Sequence, residues 1–316
     1  MERLKYNKKK ISNRGFKISL DLLVTGLQGI SSSGKTYIAQ MLGRALVEMT
    51  SLNEEDVTVL DLDNFYRPIE EVYEIQGINP NDEDALLQVN WDDPNLIDYE
   101  VLVNALEELI ETGETIRPIY DKSTGKYLEK TITYRARKIV LIESFLLFSA
   151  GIPMEGKYTS GKPKTPVLGN PNSIAARIEE LVEYKIGVIC DSLEAWRRRI
   201  SRDTQETTRN PQVTNMYWER DAMPGAEQFI FPLLYAGPKE NIFDTFIDNT
   251  MLHVVDIDDA FCGVLEKAQE KELGTYLDPR FHDAKKRMRW FADYYMPIVR
   301  TQASQAYETF RQNNGD

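Results

Sequence analysis

The octapeptide GISSSGKT, residues 29–36, constrains this chain more than any other stretch. Gly29 and Gly34 bracket a loop in which glycine permits tight turns and leaves no Cβ to keep an anion away from backbone N–H groups. Ser31, Ser32 and Ser33 lie between them, Lys35 can reach a β- or γ-phosphate, and Thr36 offers a hydroxyl to a divalent cation. The flanks agree with that use. ISLDLLVTGLQG before the loop reads as a strand ending in glycines, and KTYIAQMLGRALVEM after it repeats apolar residues at helical spacing. A strand, a glycine loop and a helix in this order aim the helix's positive end at a polyphosphate.

Further strands and helices alternate along the chain. VTVLDLD (57–63) is a second apolar run ending in acids, and the polar stretch from Asn64 to Pro94 is too long for an ordinary connection, which predicts a functional or disordered loop. LIDYEVLVNALEELIETG predicts an amphipathic helix closed by Gly113, and TIRPIYDKSTGKYLEKTITY predicts a hairpin turning at Ser123 to Gly125. KIVLIESFLLF (138–148) reads as a buried strand interrupted by Glu143. YKIGVICD gives another strand, LEAWRRRISRD a basic helix, ETTRNPQ a break, and FDTFIDNT with MLHVVDI a final pair of strands. This alternation predicts an α/β fold: a mainly parallel sheet with helices on both faces and ligands at the strands' carboxyl ends. The hairpin is expected as a substrate region.

The expected organisation is a basic N-terminal arm (1–18), a main domain (19–257) with a Gly/Pro/Lys-rich insertion at 151–172, and a helical C-terminal extension (258–316). Aromatic residues of the extension, in KKRMRWFADYY, are expected to pack as a stripe on the body or on a second subunit. Net charge is −12, so no overall field draws the chain to nucleic acid or anionic lipid, and an anionic ligand must be held by local cations. No apolar run approaches a membrane span, and two cysteines without metal-ligand spacing suit a reducing compartment; a cytoplasmic location is expected.

A phosphotransferase built on such a loop also needs a carboxylate for the metal and a base beside the acceptor. Asp61 and Asp63 close one strand, and Glu143 lies inside another, where a lone buried carboxylate would cost several kcal/mol without a facing metal or cation. Arg197, Arg198, Arg199 and Arg202, with Arg209 beyond, form the densest basic cluster and predict a lid over phosphates.

With these parts in order, the sequence resembles the uridine kinase and phosphoribulokinase family of P-loop kinases, uridine-cytidine kinases most closely, from about Leu22 to Asn249. The motifs carrying the resemblance are GISSSGKT, DNFYRP from Asp63, NWDDP (90–94), RPIYD (117–121), IESFLLF (142–148), RRISRD (198–203) and MPGAEQFIFP (223–232). The resemblance implies a P-loop NTPase fold, ATP and Mg²⁺ as cofactors, and a small-molecule hydroxyl as acceptor, with the 5′-hydroxyl of uridine or cytidine in first place. It implies that Asp63 is the base, with Lys35, Arg199 and Arg202 beside it in catalysis. Thr36, Glu143 and Asp63 are the implied metal ligands. Tyr66, Trp91, Asp92, Tyr120, Arg199 and Arg209 are the implied acceptor contacts, and a homo-oligomer is implied as well.

The sequence also departs from that pattern. Uridine-cytidine kinases carry, shortly after the tyrosine of PxYD, a histidine that touches the pyrimidine edge; the count here reaches Gly125. A lid arginine aligns with Thr207, and a glutamine near the base aligns with Tyr217. Another small alcohol (a modified nucleoside, a sugar phosphate or glycerate) and a non-catalytic nucleotide-sensing protein therefore stand as alternatives.

Overall fold

A computed structural model describes residues 21–149, 174–206, 210–237, 241–251 and 253–294. Five parallel strands form the sheet: β1 (Leu23–Gly29), β2 (Val57–Asp61), β5 (Ile139–Ser144), β6 (Tyr184–Ile189) and β7 (Thr245–Asp248), in the order β2-β5-β1-β6-β7. β1 and β5 are buried along their whole length, which is why both read as continuous apolar runs rather than alternating ones. Their side chains still divide by the period of two. Leu23, Leu27, Ile139 and Leu141 join one core, whereas Val24, Val140 and Ile142 join the other.

The first core is covered by α1 (Lys35–Met49) and α10 (Val254–Glu270), through Ile38, Leu42, Leu46, Ile257, Phe261 and Val264. The second lies under α4 (Tyr99–Thr112) and α5 (Ile174–Leu181). It is also covered by a helical stretch, 211–234, made of α7 (Pro211–Tyr217), α8 (Met223–Gly225) and α9 (Phe231–Leu234), joined by wide π-type turns at Trp218–Ala222 and Ala226–Ile230. α6 (Ser192–Glu206) follows β6. The parallel sheet with helices on both faces is thus as the sequence predicts, and the hairpin is β3 (Glu114–Asp121) paired antiparallel with β4 (Lys126–Arg135).

Three local readings are corrected. The strand expected over 57–63 stops at Asp61, whose carboxylate accepts the Asp63 N–H at 2.8 Å and turns Leu62–Phe65 into a 3-10 turn. The polar stretch 64–94 contains α2 (Ile69–Gln76) and the short α3 (Ala85–Gln88), because Ile69 and Val72 supply one buried helical face. HVVDI, the described end of the strand expected over MLHVVDI, is no strand: Val254 begins α10, whose Ile257, Phe261, Val264 and Ala268 recur at helical spacing, so the boundary expected at 257/258 falls inside a helix of the sheet's own cover.

Residues 284–294 are helical and carry the aromatic stripe. Phe291 is fully buried edge-on to Phe261, Trp290 stacks on Tyr294 and donates to Glu48 of α1, and Arg287 grips Asp258 with two hydrogen bonds of 2.7 and 2.9 Å. The basic arm, the 151–172 insertion, Thr207 and Arg209 lie outside the described residues. Among the described residues no helix is long and apolar enough to cross a membrane.

Candidate active site

The glycine loop leaves the sheet at the centre, between β5 and β6. Gly34 has φ +89°, a left-handed conformation that only glycine adopts without strain, and a Cβ there would lie 2.3 Å from Asn249 Nδ2. That amide donates to Ser33 O at 2.7 Å, so the end of β7 braces the loop from behind. Arg198 completes the brace by donating to the carbonyls of Asn249 and Thr250. It is therefore turned to the support of the loop, where the arginine cluster was expected as a lid. Arg197 pairs at the surface with Glu194.

Inside the loop, the hydroxyls of Ser32 and Ser33 are buried with no hydrogen-bond partner among the described residues. Such orphans, next to the N–H groups at the head of a 15-residue helix, suit the oxygens of a polyphosphate. Lys35 is buried, with Nζ donating to Ile30 O at 2.8 Å. Burial pulls its pKa down to about 8, opposed by the charges of Glu143, Asp63 and Asp92. A polyphosphate would restore the full charge on that ammonium.

The strands next to β1 bring the acids. Asp61 and Glu143 are register partners at the carboxyl ends of β2 and β5, and Asp63 follows on the 3-10 turn. Burial raises the pKa of Asp61 to about 7, helped by the charges of Asp63 and Glu143. Burial also raises Glu143, with Lys35 and the Thr36 hydrogen bond acting against it. Thr36 Oγ1 donates to Glu143 Oε1 at 2.7 Å. Among the described residues no group of three or more His, Cys, Asp or Glu side chains converges as a ready-made metal cage. A hydroxyl and one or two carboxylates facing a polyphosphate are nevertheless the hard oxygen set that Mg²⁺ takes when phosphates and water complete its shell.

Across the cleft, Asp92 is buried, its N–H bound to Asn90 Oδ1 at 3.0 Å and its Oδ2 lying 3.9 Å from Arg199 Nη1. Burial raises its pKa, while Arg199, Lys35 and Arg202 lower it. Arg199 is itself buried, and its Nε and Nη1 have no hydrogen-bond partner among the described residues; the Asp203 carboxylate is 3.8 Å away. Arg202 lies over Asp203, close enough for its charge to act on Lys35 and Asp92.

The expected aromatic walls pack mainly on one another. Tyr66 stacks on Tyr120 with centroids 5.6 Å apart and meets Trp91 edge-on, its hydroxyl donating to Trp91 O at 2.9 Å. Tyr120 Oη is buried without a partner among the described residues.

The sequence reading missed Lys122, whose ammonium donates to the Asp63 carboxylate from the hairpin turn. Its signal was present in PIYDKSTG, one residue beyond the motif, but a lysine in a turn reads as solvated. Gly125, where the family's histidine was sought, has φ +67° and faces α2: a Cβ would press on Ile69 at 2.9 Å. Tyr217 reaches toward Leu86 O.

Residues 24–149 match the profile of the Phosphoribulokinase / Uridine kinase family. A Dictyostelium discoideum protein named uridine-cytidine kinase B is 24% identical over 264 residues, covering 84% of this chain and 90% of its own length. A Lactobacillus johnsonii uridine kinase is 25% identical over 213 residues, 66% of this chain and 81% of that protein. Among solved structures, a D-glycerate 3-kinase from Cryptococcus neoformans var. grubii superposes with a TM-score of 0.48 at 14% identity, covering 72% of this chain and 87% of its own.

Proposed function

We propose, from the match of residues 24–149 to the model of the Phosphoribulokinase / Uridine kinase family, that this chain transfers the γ-phosphoryl group of ATP to a hydroxyl of a small polyol. One observation carries the reading: the buried phosphate-loop Lys35, next to the orphaned hydroxyls of Ser32 and Ser33, feels the charges of Glu143, Asp63 and Asp92 together, which supports donor and acceptor groups acting at one place. The acceptor oxygen attacks the γ-phosphorus, the bond to the β-bridging oxygen breaks, ADP leaves, and Asp63 takes the hydroxyl proton. Lys35 balances charge on the phosphate oxygens, and Arg199 and Arg202 donate to the transferring group or hold the acceptor as water is excluded. Thr36 and Glu143, with Asp63 nearby, would hold Mg²⁺, which when bound neutralises the β- and γ-oxygens.

Two classes of acceptor fit this chemistry. Uridine and cytidine stand first by the names of the relatives, and Asp92 with Trp91 beside it could hold ribose hydroxyls. A small anionic alcohol is favoured instead by Lys122 at the base and by Gly125, which offers no side chain where the family's histidine would touch a pyrimidine.

The test is ADP release with a panel of nucleosides, pentose phosphates and glycerate, on the wild type and on Asp63→Asn. The variant should bind ATP within about twofold of wild type and lose on the order of 10²–10⁴ in turnover. If Asp63→Asn kept a near-wild-type rate, the base assignment would be removed. Tight ATP binding with no turnover on any alcohol would favour a nucleotide sensor instead.

A further inference from the structure

Lys122 is unexplained by a neutral acceptor. Its ammonium donates to Asp63 Oδ2, so one of the two oxygens of the carboxylate that must accept the alcohol's proton is taken while the contact lasts. The turn that carries it is fixed. Asp121 accepts hydrogen bonds from Ser123 and Thr124, Gly125 N–H returns to Asp121 O at 2.8 Å, and Gly125 O accepts from Ile69 N at 2.7 Å. The Lys122 side chain, by contrast, is 65% exposed, so it can swing while its backbone stays in place.

Opening parts the ammonium from Asp63 at a place where Arg202 adds positive charge, the Asp61 carboxylate stays within reach of the lysine, and the Glu143 carboxylate is already bound to Thr36 and within reach of Lys35. Arg202 is near enough for its charge to act on Lys122, Lys35 and Asp92 together. Two of the unsatisfied atoms on the acceptor side are N–H donors, the buried Nε and Nη1 of Arg199, and the third, Tyr120 Oη, can donate as well. What these groups lack is acceptor oxygen. An acid group supplies two or three such oxygens bearing charge, whereas a neutral nucleoside supplies none with a full charge.

We propose that Lys122 is a specificity-determining residue of the acceptor pocket: it holds Asp63 until an acceptor arrives and transfers to a carboxylate or phosphate of the incoming alcohol, so that an acidic polyol both binds and uncovers the base. This rests on the phosphotransfer reading and chooses among its acceptors. The shared chemistry is an oxyanion a few bonds from the reacting hydroxyl, with Arg199 as its second partner.

Matched pairs that differ only in the acid group test it: glycerol against glycerate, and ribose against ribose 5-phosphate, with uridine and cytidine alongside. On the full chain with ATP and Mg²⁺, the acidic member of at least one pair should exceed its neutral partner and both nucleosides by roughly 10- to 100-fold in kcat/KM, the scale of a hydrogen bond to a charged group. The glycerate and ribose 5-phosphate arms tell a carboxylate from a phosphate. Lys122→Met should erase most of that preference by raising the KM of the acidic acceptor, with the KM for ATP unchanged. Equal use of neutral and acidic partners, or a preference that survives Lys122→Met, overturns the proposal. So does a Lys122→Met effect confined to ATP, which would give the lysine to the nucleotide. If no alcohol stimulates ADP release, the phosphotransfer reading falls; calorimetric binding of the same pairs in the presence of a non-hydrolysable ATP analogue then still decides the part of Lys122. Selective binding of the acidic member that is lost in Lys122→Met supports it, and unselective binding refutes it.

Discussion

Gly225→Ala gives the sharpest test of whether Asp92 works on the acceptor side. Gly225 ends α8, where the wide turns of the 211–234 stretch press the backbone against the NWDDP loop. A Cβ added there would lie 3.1 Å from Asp92 Cβ and 3.4 Å from Asp92 O. Carbon atoms in comfortable contact are about 3.5–4.0 Å apart, so one of the two backbones must yield by roughly half an ångström. Overpacking of this size costs about 1–3 kcal/mol, of which alanine's better helix propensity returns about 1 kcal/mol. The fold should survive with a melting temperature lower by at most a few degrees. Function should suffer more. Asp92 is buried and tied to Asn90, so the strain displaces its carboxylate relative to Arg199 and the acceptor; misplacement by about 1 Å costs about 10²-fold, and half of that about tenfold. Steady-state kinetics should show kcat/KM for the acceptor reduced about tenfold while the KM for ATP stays within about twofold. Gly237→Ala is the control, since its added methyl meets nothing within 4 Å. If Gly225→Ala lowered the melting temperature but left acceptor kinetics untouched, or changed the KM for ATP instead, Asp92 would not belong to the acceptor site.

Other perturbations reach the remaining parts. The folded pKa of Asp61, about 7, lies above its ordinary value of 3.8, so its protonation stabilises the fold fully below the lower figure, and that stability is lost as pH rises through the higher one. Without nucleotide or divalent cation, the chain should lose up to about 3 kcal/mol between pH 5 and 8; Asp61→Asn should flatten this slope, and an unchanged slope in thermal melts would refute the assignment. Arg287→Met leaves Asp258 buried without its partner and should cost about 3–5 kcal/mol by denaturant unfolding, and Asp258→Leu added to it should recover most of the loss, because both members of a buried pair are then apolar. Asn249→Ala removes the brace on Ser33 O and should raise the KM for ATP about tenfold while the acceptor KM holds, readable in the same coupled assay.

The residues legible in the sequence are those whose role is written in local chemistry. Gly34 and Lys35 sit in a loop that tolerates few other residues, and Glu143 declares itself as a charge within an apolar strand. Those misread depend on company. Arg198 and Arg199 are neighbours on one helix and looked alike, yet one turns to the carbonyls after β7 and the other is buried beside Asp92. Val254 and Val255, which open α10, resembled a strand until the rest of the helix was placed against the sheet. Lys122 looked like a solvated turn residue because nothing in PIYDKSTG indicates that the hairpin folds back over Asp63.

By itself, the sequence determined the phosphate loop, the alternating α/β order and the carboxylates at the strand ends, because glycine geometry, hydrophobic period and the cost of burying a charge act over a few residues. Only the tertiary structure decided which arginine braces the loop and which is buried beside Asp92, that Gly125 turns toward Ile69, and that a lysine covers Asp63. Those outcomes are set by charges and side chains tens of residues apart in the chain, whose interaction energies depend on distance and burial, and neither quantity exists until the sheet has assembled.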